Sequence, residues 1–450
     1  MEVVPVVDEG LGNSSYVVEV DDGEAVVVDP SRDPRPYLAI AAHRGWRLRA
    51  ALETHLHADF VSGARELADA VGAELWVPPG GSTGPYPGRV LTGAGEHGLG
   101  GLTAEALPTP GHTTEHVSFL LRDQATPVGV FSGGTLIVGG VARPDLLGEE
   151  LTEPLARQAY RSIHGRLLSL PDEVPLYPTH GSGSFCSAGP AGERTSTIGA
   201  ERTANPLLQA ENEDAFVERL LGGLGSFPPY FRELRIVNAA GPKVYGPEPA
   251  LPQALSAAEA RALSAAGAEL VDARPIEAFA AGHVPGSLSN ALRDQFAVWL
   301  GWLVARDRDV VFVIDEATDV DRLASEARKI GYERLAGVLP IRAWRDAGEP
   351  VATLPLLDAA DAAAAGRRPL DVRQTTEWAS GRVVGAAHVE LGALASSHAG
   401  VDAPALAYCG HGERAMTAAS LLARHGRDAA AFAGGPAELA AALDRAVEAA

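Results

Sequence analysis

The sequence predicts an α/β protein of about three domains, since a domain commonly holds ~150 residues and the chain has 450. Its composition, with 46% hydrophobic and 21% charged residues, is typical of a globular protein. Predicted strands and helices alternate over the first part of the chain, and the second part contains one α/β pattern twice. A segment rich in proline and glycine, 241–253, separates these parts and marks a domain boundary.

The first part, residues 1–245, begins with short strands and continues with alternating elements. Apolar residues alternate at 15–20 and 25–29 around an Asp-Asp-Gly turn, which indicates a hairpin. Further strands are predicted at 48–53, 74–78, 102–107, 117–121, 128–132 and 174–177, and helices at 36–45, 63–71, 157–170 and 215–221. Histidines follow several of these strands, and the loops after strands are where α/β proteins place their sites.

The histidine motifs suggest a metal-binding cleft. His55, His57 and Asp59 occupy alternate positions after an apolar predicted strand. In an extended chain such positions face one side, and imidazole and carboxylate groups are ligands of divalent metals. His112 and His180 each follow another predicted strand and are further candidate ligands. The alternative is a polar loop whose histidines are incidental.

The second part contains an internal repeat with a constant offset. Residues 271–274 and 370–373 both form an apolar strand that ends in Asp-x-Arg, followed by a helix, a buried strand and another helix. The aligned pairs are Asp272 with Asp371, Phe279 with Trp378, Gly282 with Gly381 and Gly286 with Gly385. A period near ~100 residues indicates a duplicated domain rather than a solenoid. We therefore expect one domain at 255–355 and another at 360–450.

Cys409 lies in the second copy, between the predicted strand 405–408 and a predicted helix. The loop continues through Gly410, His411, Gly412 and Glu413 to Arg414. Backbone N–H groups of such a loop, a helix N-terminus and an arginine all stabilise a negatively charged sulfur. This arrangement favours a nucleophilic cysteine over a structural one. The first copy has no cysteine and therefore lacks this chemistry.

These features resemble the rhodanese family over about residues 365–450. The resemblance is carried by Asp371, Arg373, Glu377, Trp378, Gly381, Gly385, Ala386, His388 and the loop 409–414. It implies that Cys409 accepts sulfane sulfur as a persulfide, that the loop residues bind it and that Arg414 assists. The first copy resembles the same fold without the cysteine, which implies a structural or docking role.

Four motifs of the first part resemble the metallo-β-lactamase fold in their order and spacing. They are Thr-His-x-His-x-Asp at 54–59, Pro-Gly-His-Thr at 110–113, Phe-Ser-Gly-Gly-Thr-Leu at 131–136 and Pro-Thr-His-Gly at 178–181. The resemblance implies an αββα sandwich over about residues 1–240. Together with the rhodanese-like domains, the chain looks like a fusion of a persulfide dioxygenase with a sulfurtransferase, and 182–186 and 197–199 also look like that group. The family resemblance implies a mononuclear iron site that oxidises a thiol-bound persulfide with dioxygen.

Two positions depart from the family pattern. Phe60 stands where the family has a further histidine, and Gly134 stands where it has a metal-binding aspartate. The resemblance implies iron held by that aspartate and two histidines, which His55 and His112 match. Without the aspartate, His55, His57 and His112 form a three-histidine site with one open position for one divalent metal, Fe or Zn.

Asp59 and His180 would supply the second metal position of the fold, and two ligands are too few for a binuclear hydrolase. Cys186 lies shortly after His180 in a loop with glycine and serine. It is either a small buried residue or a thiol that meets the substrate. The remaining histidines of this part are expected to be ordinary surface or core residues, namely His43, His97, His116 and His164.

The expected function is sulfane-sulfur metabolism, with rhodanese-type transfer through Cys409. The N-terminal domain would handle a low-molecular-weight thiol or its persulfide, of the glutathione or coenzyme A type, and thiosulfate and sulfite are the expected inorganic partners. Two alternatives stay open for this domain. One is a metal-poor pseudoenzyme that binds or senses the persulfide, and the other is a mononuclear zinc hydrolase with Asp59 as its base.

Charge and composition exclude several other classes. The net charge of −21 argues against binding to nucleic acids or anionic membranes. The sequence has no apolar run of ~18 residues and its N-terminus lacks the features of a secretory signal. Two cysteines exclude a disulfide scaffold, so we expect reduced thiols and a cytoplasmic location. A homo-oligomer is compatible with the sequence.

Overall fold

The computed structural model describes residues 1–181, 183–188 and 193–449, so Ser182 of the motif at 182–186 lies outside the described residues. These residues form a mixed α/β protein, as predicted. They divide into two structural units, Met1–Ala250 with Arg328–Gly331, and Leu251–Ala327 with Tyr332–Ala450. The second unit contains both copies of the repeat apart from residues 328–331, and the boundary between the copies stays a prediction.

Two six-stranded sheets dominate the first unit. One comprises β1 (Val3–Asp8), β2 (Asn13–Asp21), β3 (Glu24–Val28), β4 (Arg47–Leu52), β5 (Glu74–Val77) and β6 (Gly88–Val90), in this order across the sheet. The other comprises β7 (Gly95–Leu99), β8 (Leu102–Pro108), β9 (Val117–Asp123), β10 (Thr126–Gly133), β12 (Pro175–Pro178) and β14 (Ser196–Thr197), ordered β14-β12-β10-β9-β8-β7. A short pair joins β11 (Val141–Ala142) to β13 (Ser187–Ala188).

Helices cover the outer faces of these two sheets. They are α1 (Arg35–Arg44), α2 (Ala64–Val71), α3 (Glu149–Gly165), α4 (Ile198–Ala204), α5 (Glu213–Gly222) and α6 (Phe231–Ala240). Side chains of both sheets, among them Tyr16 and Phe131, share one buried cluster. Tyr37 of α1 joins a cluster on the first sheet, and Ala159 of α3 joins one on the second. The αββα sandwich implied by the resemblance is therefore confirmed.

Helix α3 differs most from its predicted bounds of 157–170, because it begins at Glu149 and ends at Gly165. Pro154 lies inside it and misled the prediction. A proline this close to the N-terminus removes only one intrahelical hydrogen bond, which the packing of α3 on the second sheet outweighs.

The second unit contains two parallel sheets. The first has the order β16-β15-β17-β18 and is built from β15 (Glu269–Asp272), β16 (Leu288–Ser289), β17 (Val310–Ile314) and β18 (Leu335–Pro340). Its helices are α7 (Ala257–Ala265), α8 (Ile276–Ala281), α9 (Phe296–Leu303), α10 (Val320–Lys329) and α11 (Ile341–Asp346). Strand β17 is buried throughout, which explains its continuous apolar sequence.

The second sheet has the order β19-β24-β23-β20-β22, with β19 (Leu356–Leu357), β20 (Arg368–Asp371), β22 (Ala387–His388), β23 (Ala405–Tyr408) and β24 (Ala429–Phe432). A separate pair joins β21 (Arg382–Val383) to β25 (Val447–Glu448). The helices are α12 (Ala359–Ala365), α13 (Thr375–Ser380), α14 (Leu391–Ser397), α15 (Glu413–Arg424) and α16 (Pro436–Ala442).

The repeat read from the sequence is visible in the local structure. Asp272 pairs with Arg274 at 2.6 Å after β15, and Asp371 pairs with Arg373 at 2.6 Å after β20. The arginine also donates to the carbonyl of the aligned glycine in each copy, Gly282 or Gly381. In the part of the chain that the structure describes, every helix is too short or too polar to cross a lipid bilayer.

Candidate functional site

Buried Asp29 organises the strand ends that carry the histidine motifs. It follows β3, and its carboxylate accepts hydrogen bonds from the Thr54 backbone and hydroxyl, both at 2.7 Å. The Thr179 hydroxyl also donates to it. Asp29 therefore fixes the loops after β4 and β12 to each other. Sequence reasoning missed this residue, although an aspartate directly after an apolar strand could have drawn attention to it.

Three histidines from three of these loops converge. His55, His112 and His180 each offer a ring nitrogen, and these nitrogens lie within 4.8 Å of one another. Nε2 of His180 is 3.2 Å from Nε2 of His55. All three side chains are at most 1% exposed. The structure thus brings together three of the candidate ligands offered by the sequence, with His180 beside His55 and His112 and not only at the second metal position.

The opposite ring nitrogens of these histidines have their own partners. His112 Nδ1 donates to the carbonyl of Arg143 at 2.7 Å. Because a carbonyl only accepts, the Nε2 of a neutral His112 bears a lone pair, and this buried atom has no hydrogen-bond partner among the described residues. His55 Nδ1 lies 2.9 Å from the Thr54 hydroxyl, and His180 Nδ1 lies 3.1 Å from Oδ1 of Asn13. Such outer contacts are those that orient metal-binding histidines.

The protonation of these residues suits a cation. Burial lowers the pKa of His112 to about 3, and the neighbouring His180 adds to this effect. Burial also lowers the pKa of His55 well below its usual value, with contributions from the surrounding imidazoles. Both rings are therefore neutral near pH 7, and the neutral form is the one that binds metals.

His57 has a different environment from the one the sequence suggested. Its Nε2 lies 3.2 Å from Oδ1 of Asp29 and 3.0 Å from Oε2 of Glu53. Burial disfavours its charged form, but the two carboxylates outweigh burial and raise the pKa of His57 to about 10. His57 is thus a charged partner of two buried acids. His55, His112 and His180 form one group that could hold a metal, the three-histidine set of the structure, and His57 belongs to two further groups, one with Asp29 and His55 and one with Asp59 and His180. The sequence analysis had placed His57 with His55 and His112.

Asp59 lies behind His180 in this arrangement. Its Oδ2 accepts a hydrogen bond from Asn13 at 2.7 Å and lies 3.3 Å from Nδ1 of His180. Although burial acts to raise the pKa of Asp59, His180 contributes most to holding it well below its usual range. Asp59 also has an atom in a mixed group with His57 and His180 that could hold a metal. The contact between its Oδ2 and Nδ1 of His180 therefore orients the His180 ring.

Cys186 is completely buried, and burial followed by the charge of Asp59 raises the pKa of its thiol far above the usual value. A thiol in this state is neutral and has no access to solvent, which favours the interpretation of Cys186 as a small buried residue. The reading of Cys186 as a substrate-contacting thiol stays a prediction.

The two positions that depart from the family pattern, Phe60 and Gly134, both pack against histidines of the site. Phe60 stacks on His57 with ring centroids 4.2 Å apart. A Cβ atom on Gly134 would lie 2.7 Å from Cδ2 of His112, and the Gly134 N–H donates to Nε2 of His116 at 3.0 Å. His116 also stacks on His55 with centroids 5.0 Å apart. His116, taken from the sequence as an ordinary residue, is therefore a buried support of the three-histidine set.

Helix α6 holds the loop that carries His55 and His57. Asn238 donates from Nδ2 to the carbonyls of His57 at 2.7 Å and Phe60 at 2.9 Å, and its Oδ1 accepts from the Ser62 N–H at 2.9 Å. The Tyr230 hydroxyl donates to the carbonyl of Asp59 at 3.2 Å. No sequence signal identified these residues, because their partners are backbone atoms far away in the chain.

The second site is the loop after β23. Cys409 follows this buried strand, and its Sγ accepts a hydrogen bond from the Gly412 N–H at 3.1 Å. Gly412 has a φ of 116°, which favours glycine, and it precedes the first residue of α15. His411 is exposed, whereas Cys409 is 1% exposed. One backbone N–H of the loop therefore contacts the sulfur.

Arg414 is held beside this loop by Glu377. Its two terminal nitrogens donate to the carboxylate at 2.6 and 2.8 Å. Burial disfavours the charge of Arg414, but Glu377 and then Cys409 outweigh burial and raise its pKa. The ion pair thus fixes the Arg414 side chain, and the Glu377 carboxylate balances its positive charge.

The first copy has an isoleucine at the position of this cysteine. In the parallel pairing of β15 with β17, Asp272 lies opposite Val313, and in that of β20 with β23, Asp371 lies opposite Tyr408. Ile314 of the first copy therefore corresponds to Cys409. The loop that follows it has the sequence Asp-Glu-Ala-Thr-Asp, which cannot surround an anionic sulfur.

Comparisons with known proteins agree with this architecture. Residues 8–180 match the family model of the metallo-beta-lactamase superfamily, and residues 256–340 and 356–442 match that of the rhodanese-like domain. A hydroxyacylglutathione hydrolase of Pseudomonas entomophila (strain L48) is 37% identical over 158 residues, which are 34% of this chain and 56% of the hydrolase. The match thus spans little more than half of that enzyme.

Two further relatives extend the comparison. The human mitochondrial persulfide dioxygenase ETHE1 is 29% identical over 203 residues, which are 45% of this chain and 72% of the dioxygenase. The solved structure of a metallo-beta-lactamase from Staphylococcus aureus subsp. aureus COL has a TM-score of 0.65 and 29% identity, and the match covers 75% of this chain and 98% of that one. The likeness to this structure therefore extends beyond the first unit.

Proposed function

The chain joins a metallo-beta-lactamase superfamily domain to two rhodanese-like domains, and from this premise we propose that it is a sulfurtransferase of sulfane-sulfur metabolism. The observation that carries the proposal is the hydrogen bond from the Gly412 N–H to Sγ of Cys409, 3.1 Å long, in a loop that ends at a helix N-terminus. Backbone donors placed around a sulfur stabilise its anionic forms, both thiolate and persulfide.

The reaction with thiosulfate follows from these groups. The Cys409 thiolate attacks the outer, sulfane sulfur of thiosulfate, a new S–S bond forms at Cys409, and the S–S bond of thiosulfate breaks. Sulfite leaves with the electron pair of the broken bond, and Cys409 remains as a persulfide anion. A thiol or cyanide then takes the sulfane sulfur and restores the thiolate. The Gly412 N–H contacts the sulfur that carries negative charge at the start and the end of this cycle.

Replacing Cys409 with serine tests this proposal. We expect thiosulfate-to-cyanide transfer to be lost in Cys409→Ser. Peptide mass spectrometry of the native chain after thiosulfate treatment should show one added sulfur on Cys409 and none on Cys186, which serves as an internal control because burial and Asp59 raise the pKa of its thiol. Undiminished transfer by Cys409→Ser would refute the proposal.

The convergent histidines support a second activity in the N-terminal domain. His55, His112 and His180 fit one divalent metal, because they are buried, the Nδ1 atom of each has a partner that orients the ring, and Nε2 of His112 otherwise has no partner among the described residues. A bound Fe or Zn ion would supply a Lewis-acid position for a substrate group or a water molecule. Position 134 is glycine, so this set contains only neutral ligands and suits a hard ion such as Fe(II) less well than a set with a carboxylate.

We propose a thiol persulfide of the glutathione or coenzyme A type as the ligand of this domain. The support is the likeness to a persulfide dioxygenase and to a hydrolase of a glutathione derivative, together with the sulfur chemistry of Cys409. Elemental analysis, oxygen uptake with glutathione persulfide and thioester hydrolysis separate the candidate activities. Metal with oxygen uptake indicates a dioxygenase, and metal with thioester hydrolysis indicates a hydrolase. A domain that binds the persulfide without metal or turnover is a pseudoenzyme.

The histidines offer a matched pair of variants for this experiment. His112→Ala should lose about one metal ion per chain, whereas His43→Ala should retain it, because His43 is exposed on α1. Equal metal content in the two variants would contradict the assignment of the three-histidine set.

A further inference from the structure

Side chains of the cysteine-free copy lie next to the Cys409 loop. Helix α9 of the first copy packs against α14 of the second, and a Cβ atom on Gly392 would lie 2.3 Å from the ring of Trp302. The ring centre of Trp299, on the same helix, is 5.8 Å from the guanidinium carbon of Arg414. Helix α9 therefore belongs to the surroundings of the Cys409 loop.

A second contact between the first copy and the Cys409 loop involves Ile276. A Cβ atom on Gly412 would lie 3.2 Å from Cδ1 of Ile276, the first residue of α8. Ile276 and α9 both follow strands of the first sheet at their carboxyl ends. Since this is the edge where α/β domains place their sites, the first copy presents its own site edge to Cys409 although it has lost the cysteine.

Arg293 lies at this edge, three residues before α9. It is half-buried, and its Nη1 donates to the neutral side-chain amide of Gln295. Among the described residues, no carboxylate lies within ion-pair distance of its guanidinium. By contrast, Arg414 is engaged by both oxygens of Glu377. Of these two cations near Cys409, Arg293 is thus the one whose charge is not already matched by a bound carboxylate.

The charge of Arg293 interacts with the charged groups of the Cys409 loop. Burial lowers its pKa, while Glu413 and the sulfur of Cys409 act in the opposite direction and Arg414 adds to the lowering. Glu413 and Arg414 belong to the Cys409 loop, so Arg293 lies within electrostatic range of this loop and its sulfur. Thiosulfate carries two negative charges and must approach an anionic sulfur. A free guanidinium reduces this repulsion and offers a planar pair of donors to an oxyanion.

We propose that Arg293 is an anion-binding residue of the Cys409 site, supplied by the cysteine-free copy to hold the sulfonate end of the sulfur donor. The inference rests on the proposed sulfurtransferase function and gives the first copy a direct role in it. The donor class is a small oxyanion of sulfur, with thiosulfate as the probe.

Steady-state kinetics test the proposal on the full-length protein. Arg293→Gln should raise KM for thiosulfate by at least about tenfold, the loss expected for one charge-assisted hydrogen bond, and should lower kcat less. Methanethiosulfonate, which carries a single charge, should be affected less than thiosulfate. Arg334→Gln removes a surface arginine of the same copy that pairs with Asp309, and should leave both constants unchanged.

A binding measurement separates this inference from the proposed function. Sulfate should protect Cys409 from alkylation by iodoacetamide, and Arg293→Gln should need at least about tenfold more sulfate for the same protection. Arg293→Lys keeps the charge without the planar fork, so an intermediate KM is expected. If Arg293→Gln fails to fold, a wild-type KM in Arg293→Lys overturns the proposal, as does unchanged protection in either variant. Absence of transfer in the native protein would refute the sulfurtransferase function and leave the sulfate measurement to decide on Arg293.

Discussion

Gly134 and His112 fit each other so closely that a side chain at position 134 would enter the imidazole ring. A Cβ atom there would lie 2.7 Å from Cδ2 and 3.0 Å from Cγ of His112. The ring cannot easily retreat, because its Nδ1 donates to the carbonyl of Arg143 at 2.7 Å. The absence of a carboxylate at this position is therefore part of the packing of the three-histidine set.

The close packing of Gly134 on His112 predicts that an aspartate at position 134 does not improve metal binding. Gly134→Asp should lower the free energy of unfolding by about 1–3 kcal/mol, the usual cost of overpacking a core, and should reduce metal content because His112 is displaced. Denaturant unfolding and elemental analysis measure these two effects.

Gly93→Ala is the matched control for Gly134→Asp. Position 93 has open space around it and a backbone conformation that alanine adopts, so its stability and metal content should match the native protein. Tighter iron binding by Gly134→Asp without a loss of stability would show that the site has room for the carboxylate.

The order of motifs along the chain was sufficient to predict the αββα sandwich, the duplicated α/β domains and the Cys409 loop. These depend on strand ends and on local loop sequence, which a single chain displays directly. The assignment of His180 rather than His57 to the three-histidine set was not predictable, because the contacts of His57 with Asp29 and Glu53 depend on the fold. Arg293 was missed for a related reason, since its role comes from packing between two copies and not from a motif.

The assignment of His180 to the three-histidine set gives the second prediction. His180→Ala should abolish metal binding, whereas His57→Ala should retain most of it, because His57 faces Asp29 and Glu53. His57→Ala leaves these buried carboxylates without their cation and should cost about 3–5 kcal/mol of stability. Metal content should therefore distinguish the two variants, whereas both lose a partner of a buried carboxylate and should unfold more easily. The reverse pattern of metal loss would return His57 to the ligand set.

Asn238 gives the third prediction, because it holds two carbonyls of the loop between His57 and Phe60. Asn238→Ala should lower the free energy of unfolding by about 2–3 kcal/mol, since buried backbone groups lose their partners. It should also weaken metal binding, although the hydrogen bonds of Asn238 go to backbone atoms of His57, Phe60 and Ser62 and not to the three histidines of the set. Asn238→Asp keeps the acceptor for the Ser62 N–H but loses both donors, so it should resemble the alanine variant. Native metal affinity in both variants would show that the loop does not need this support.

The pair of Glu377 and Arg414 gives a prediction about pH. Burial acts to raise the pKa of Glu377, but Arg414 outweighs burial and lowers it below its usual 4.5. A carboxyl group with a lowered pKa stabilises the fold above the pKa of the unfolded chain, and this contribution is lost as the pH falls through the lowered value. The difference in unfolding free energy between the native protein and Glu377→Gln should therefore be constant near neutral pH and should shrink below pH 4.5.

Glu153→Gln is the control for this measurement, because Glu153 makes an ion pair with Arg157 while its own side chain is 60% exposed. Exposed pairs contribute little, so Glu153→Gln should differ from the native protein by only a small amount at every pH. A pH-independent effect of Glu377→Gln would mean that Arg414 is held by packing and not by the charge of Glu377. In that case its guanidinium would be free to serve the anionic sulfur donor together with Arg293, and the Arg293→Gln variant would retain much of its affinity for thiosulfate.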